Sequence, residues 1–177
     1  KNFTFNYCLN ICDKKLFRHK KNYDLIFYYR INKNKNNFTQ KKLIKKLLLH
    51  GYKIIIIGDN PFLKNSNYLG NLDRRKVLSY IAKSKFSINN NENLHSLFCL
   101  DSLSCGTKVI HFGKKNTQNF FNKNSIFQKE IKNVDKQFFF IKKILKSKKP
   151  NIDKIKTNNN FYKSKKKIKD FFLKLNL

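Results

Sequence analysis

Glycine is scarce in this chain, five residues among 177. That excludes the glycine-rich fingerprint that cradles a dinucleotide, and no P-loop is present either. Acidic residues are scarce as well, 10 against 40 Lys and Arg, and no Asp-x-Asp pair offers itself to a divalent metal. No metal or other cofactor is expected. The four cysteines, Cys8, Cys12, Cys99 and Cys105, lack the two-residue gap of a zinc knuckle, and none has a histidine at ligand spacing. Cys99 and Cys105 lie in an apolar stretch and read as small core residues. Reduced thiols suit a cytoplasmic setting. No apolar run approaches the ~20 residues of a membrane-spanning helix, so membrane contact is expected to be peripheral, at the inner face. Methionine is missing even from position 1, which reads as a fragment of a longer protein.

What the chain has in abundance is Lys, Asn, Ile, Phe and Tyr, residues with AT-rich codons. The formal net charge of +30 would by itself suggest a polyanionic partner. Lysine, however, is spread through helices and tail alike, as on solvated faces. Nucleic acid is therefore not the expected partner.

Regular patterning starts at Tyr23. Residues 1–22 read as a lead-in or linker, 23–146 as one domain, and 147–177 as a basic linker with a C-terminal helix at Phe161–Leu175. Residues 24–30, 52–58, 85–89 and 107–112 are short β-branched or aromatic runs, predicted as buried strands. Four consecutive isoleucines, Ile54 to Ile57, suit a strand covered on both faces. Helices are predicted after Thr39, with Leu43, Ile44, Leu47 and Leu48 on one side, after Asp73, with Val77, Leu78, Ile81 and Ala82 inward, and over Leu94–Cys105. A further helix is expected over Lys129–Lys146, and a brief extended piece at Asn67–Gly70. Strand and helix alternate, which implies an α/β, Rossmann-like parallel sheet with helices on both faces. Ligands bind such sheets at the carboxyl ends of the strands. The loops at 30–37, 58–62 and 89–94 lie there.

Arg30 ends the first strand and Lys35 follows five residues on; Ile57-Gly58-Asp59 ends the second. Tyr68-Leu69-Gly70 precedes a helix, and Glu92-Asn-Leu-His-Ser-Leu-Phe-Cys-Leu-Asp101 leads through Cys105-Gly106 to Val109-Ile110. This order, over about half of the chain, resembles the C-terminal domain of group-1 glycosyltransferases, retaining enzymes of GT-B fold. The family spaces two Glu with seven residues between them. Here the second is Asp101, the matching first position is Asn93, and Glu92 stands one residue early. Lys35 is followed by Asn36, where the family has Gly.

The resemblance implies a domain that binds a nucleotide-sugar donor, its acceptor-binding half lying outside this sequence. The acceptor, a glycan, lipid or small molecule, is left open. Arg30, Lys35 and Glu92 are its expected catalytic residues. Gly58, Asp59, Leu72, Asn93, Leu94, His95 and Asp101 are expected to hold the donor. The chemistry suits these types. Sugar transfer leaves growing negative charge on a diphosphate, which fixed cations stabilise most in the transition state. Arg30 can fork two phosphate oxygens, and Lys35 adds a mobile charge. A helix starting near Leu94 and capped by Asn93 would aim free N–H groups at an anion. Asp101 can accept from both hydroxyls of a ribose, while Glu92 or Asn93 would meet the sugar. Taken singly, Arg30 and Lys35 read as surface charges, and His95 and His111 as helix-surface and strand-end residues. An unpaired buried Asp101 would be costly. Three alternatives stand beside this reading: a non-hydrolysing sugar-nucleotide epimerase, a basic module binding nucleic acid or anionic lipid, and an inactive transferase domain.

Overall fold

A computed structural model describes residues 20–31, 37–64, 67–90, 96–113 and 126–147. Lys35, Glu92, Asn93, Leu94, His95, Cys8, Cys12 and the expected helix at Phe161–Leu175 lie outside the described residues.

Six strands form one sheet: β1 (Tyr23–Tyr29), β2 (Ile54–Gly58), β3 (Asn67–Tyr68), β4 (Ser84–Asn90), β5 (Lys108–Phe112) and β6 (Ile126–Gln128). Their order is β3-β2-β1-β4-β5-β6 and every neighbouring pair is parallel. Helices α1 (Asn37–Leu49), α2 (Arg74–Ala82), α3 (Leu97–Ser104) and α4 (Val134–Lys146) lie between or after the strands. The fold is thus α/β and Rossmann-like.

Alternation along the strands divides the core into two layers. Leu25, Phe27 and Tyr29 of β1 join Ile54 and Ile56 of β2 beneath α1 and α4, packed by Leu43, Ile44, Leu47, Phe138, Ile141 and Ile144. Ile26 with Ile55 and Ile57 faces the other way, against Leu78, Ile81 and Ala82 of α2 and Phe98 of α3. Each residue of β2 is buried. Burial of a side chain of this size stabilises by about 1.5–3 kcal/mol, which is why an isoleucine run makes a central strand. Polar ties close the amino edge of the sheet. Thr107 Oγ1 donates to the Ile81 carbonyl at 2.7 Å, and Ser84 Oγ to the Tyr80 carbonyl at 2.8 Å.

Several boundaries differ from the expectation, each for a local reason. Thr39 does not cap α1, which already starts at Asn37. The cap of α3 is Ser96, whose side chain accepts from Cys99 N–H, so the helix starts at Leu97 rather than near Leu94. Residues 129–133 do not belong to α4. Asn133 caps it, accepting from the N–H groups of Asp135 and Lys136. Strand β1 stops at Tyr29, one residue before Arg30. Strand β6 was not expected at all; it adds Ile126–Gln128 to the β5 edge. The piece at Asn67 is a true strand, pairing Ile55 and Ile56.

Candidate functional site at the carboxyl edge

Connections leave β1 on one side of the sheet and β4 on the other, so the strand order reverses between them. A crevice outside the carboxyl ends of such a pair is where ligands settle in open α/β sheets. The residues gathered there come from β1, β2, β4, β5 and the start of α3.

Arg30 follows β1 directly and is exposed. Its guanidinium lies over the Tyr28 ring, 5.5 Å from the centroid. Tyr28 in turn stacks on Phe98 in the first turn of α3, centroid to centroid 5.7 Å. The cation is therefore carried on Tyr28, which is itself stacked against the first turn of α3, with its charge toward water. Such a place favours an anion twice over, through the fixed charge and the helix dipole.

Gly58 and Asp59 have clear structural work. Gly58 has φ +97, and a Cβ there would stand 2.3 Å from the Tyr29 carbonyl oxygen. Only glycine lets β2 approach β1 this closely at its end. The Gly58 N–H donates to the Gly70 carbonyl, and Tyr68 Oη donates to the Gly58 carbonyl, each at 3.0 Å. Asp59 donates its N–H to the Tyr29 carbonyl at 2.8 Å and accepts from Ile31 N–H on Oδ2 at 2.6 Å. It thereby clasps the chain on both sides of Arg30. Leu72 is half-buried against the α2–α3 layer of the core. Phe62, just beyond the β2 end, is exposed and has φ 53, a conformation that non-glycine residues seldom adopt.

Asp101 is buried on α3, and its Oδ1 accepts from Arg74 Nη2 of α2 at 2.8 Å. Burial nevertheless raises its pKa, and the Arg74 hydrogen bond and charge offset this only in part. Arg74 is itself half exposed, so its charge is diluted by water. No pattern in the sequence marks Arg74 as the partner of Asp101. The cost of burying a carboxylate signals that a partner exists, but nothing local points to a residue 27 positions upstream.

His111 was read as an ordinary strand-end residue, and the structure gives it more. It is buried next to Asn89 across the β4–β5 pair. Among the described residues its Nδ1 finds no hydrogen-bond partner, nor does Ser87 Oγ two residues before Asn89 on β4. Burial lowers the imidazole pKa, against a smaller opposing effect of the Asn89 backbone, so the ring is neutral at pH 7. A Cβ at Gly113 would fall 2.6 Å from His111 Nε2, so glycine is what lets the chain turn over the ring.

The structure thus brings Arg30, Asp59 and Gly58 to one edge, and places Asp101 behind it on α3. Among the described residues no group of three His, Cys, Asp or Glu side chains is set to hold a metal ion. Nor, among them, is any helix long and apolar enough to cross a membrane. No family model matches the chain, and no curated protein matches it.

Proposed function

We propose that this domain binds a nucleoside diphosphate, as the donor half of a glycosyltransferase that moves a sugar from a nucleotide-sugar to an acceptor. The observation that carries the reading is the position of Arg30. A permanent cation stands at the switch point of the sheet, held over Tyr28, whose ring stacks on Phe98 in the N-terminal turn of α3. A diphosphate placed there meets the guanidinium and the positive end of the α3 dipole together. As the glycosidic bond to phosphate breaks, charge grows on the leaving oxygens, and a preorganised cation stabilises that state more than the bound donor. Asp59 keeps the backbone around Arg30 in place through Ile31 N–H and the Tyr29 carbonyl. Asp101 is the proposed acceptor of ribose hydroxyls. Lys35, Glu92, Asn93, Leu94 and His95 complete the proposed site by family resemblance alone.

Titration calorimetry of the chain with UDP and with GDP tests this. One of the two should bind, weakly, and without sugar transfer, since closing two domains over the donor is part of catalysis in this class. Arg30→Ala should lower that affinity about tenfold, the loss of one charge-assisted contact of ~1.5 kcal/mol or more. Binding of either nucleotide that is indifferent to Arg30→Ala would remove the reading's main support.

A further inference from the structure

The layer formed by α1 and α4 differs from a plain water-facing pair of helices. Together they carry eight lysines and a single acid, Asp135, which is taken up by Lys46. Helices α2 and α3 on the opposite face carry three basic residues and one acid. Lysine alone on a solvated helix face needs no explanation in a chain of this composition. Two large apolar side chains in its midst do.

Leu49 is 76% exposed and Phe139 62% exposed. Among the described helix residues they are the only large hydrophobics so exposed besides Leu97. Both lie opposite the core-facing sides of their helices, since Leu43, Ile44 and Leu47 and then Phe138, Ile141 and Ile144 point into the sheet. Each is next in the chain to a residue of the α1–α4 contact. His50 and Phe138 meet with ring centroids 4.5 Å apart, and Leu49 and Phe139 are their immediate chain neighbours. Lys45 on α1 and Lys136, Lys143 and Lys146 on α4 are exposed on the same outer face. At one helical turn before Leu49, and at one turn before and one turn after Phe139, the spacing puts a lysine beside each apolar residue.

We propose that the outer face of α1 and α4 docks on an anionic lipid bilayer, with Leu49 and Phe139 entering the interface and these lysines meeting headgroup phosphates. Apolar insertion and basic flanks are the two contributions that hold an interfacial helix, and lysine stems lengthen the apolar reach while their ammonium groups stay with the phosphates. A nucleic-acid partner would use the charge but leave Phe139 and Leu49 in water. The surface is separate from the carboxyl edge, so it stands whatever that edge binds.

Co-sedimentation of the chain with vesicles tests it, using phosphatidylcholine alone and phosphatidylcholine mixed with phosphatidylglycerol. Binding is expected to the mixed vesicles and not to the neutral ones. The double variant Lys45→Gln, Lys143→Gln should lower the partition coefficient about 25-fold, roughly fivefold per charge. Phe139→Ser should lower it about tenfold, and Leu49→Ser similarly, both with an unchanged circular dichroism spectrum because neither side chain is buried. Arg75→Gln with Lys76→Gln, on the other layer, should change it less than about twofold. The proposal is overturned if that control loses as much as the α1–α4 pair, or if Phe139→Ser and Leu49→Ser bind like wild type. Equal binding to neutral vesicles overturns it too. So does tight binding of duplex DNA that the lysine variants weaken and Phe139→Ser does not, with no vesicle binding.

Discussion

Two buried titratable side chains behave in opposite ways, and their variants are the sharpest residue-scale tests. Burial raises the pKa of Asp101 despite Arg74. The folded chain therefore holds that proton more tightly than the unfolded one. The stabilising contribution is complete below the ordinary aspartate range and is lost as pH rises through the raised value. At neutral pH the charge is a burden, so Asp101→Asn, which keeps an oxygen for Arg74, should hold stability within about 1 kcal/mol of wild type or raise it. Thermal melts at pH 7 check this. If Asp101 also holds a ribose, the same variant loses donor affinity about tenfold without losing stability. His111 is the mirror case. Its pKa is lowered from the ordinary 6.5, so the neutral ring stabilises the fold above that value. The contribution is lost as pH falls from 6.5 toward the lowered one. The melting temperature should decline through that window, and His111→Gln should flatten the decline. An identical acid limb in the variant would assign the decline to other groups.

At the scale of elements, the strands were the most legible part of the sequence. Runs such as Ile54 to Ile57 and Val109-Ile110 have one stable use in a short chain, which is to be covered on both faces. Helix starts were legible where a single capping residue stood before the apolar pattern. Asp73 is such a residue, and it accepts from Lys76 N–H at 3.0 Å. Before α3 the polar run from Asn89 to Ser96 offers several capping side chains in a row, and composition does not choose among them. Ser96 is the one in use, 3.3 Å from Cys99 N. Ser96→Ala should therefore cost about 1 kcal/mol, measured by urea denaturation, and should do so without an effect from Phe98 packing. Strand β6 escaped notice because three residues carry no period. Of the candidate site, the sequence displayed Arg30, Gly58, Asp59 and Asp101 through their order along the chain. The Arg74 tie and the buried His111 depend on which helix and strand lie side by side, and no short-range pattern records that.

For the whole molecule the dominant fact is charge. A formal +30 over 177 residues sets like charges against one another. Among the described residues the carboxylates available to offset this are few, and four of them stand in the ion pairs Lys46–Asp135, Arg74–Asp101, Lys76–Asp73 and Lys85–Asp24. Most of these pairs are open to water and contribute little each. Self-repulsion thus outweighs attraction, and compaction makes it worse, since the unfolded chain keeps its charges farther apart. Salt shortens the reach of both, but at a Debye length of about 10 Å in 0.1 M salt the many distant repulsions are screened more than the few contacts at hydrogen-bond range. The melting temperature should therefore rise as sodium chloride is added from low ionic strength, by several degrees over about the first half-molar step. Binding to phosphatidylglycerol vesicles should weaken over the same range, because attraction to a charged surface is screened in the same way. Calorimetric scans against salt decide the first. A melting temperature that falls with salt would mean that the four ion pairs, and not the net charge, set the electrostatic balance of the fold.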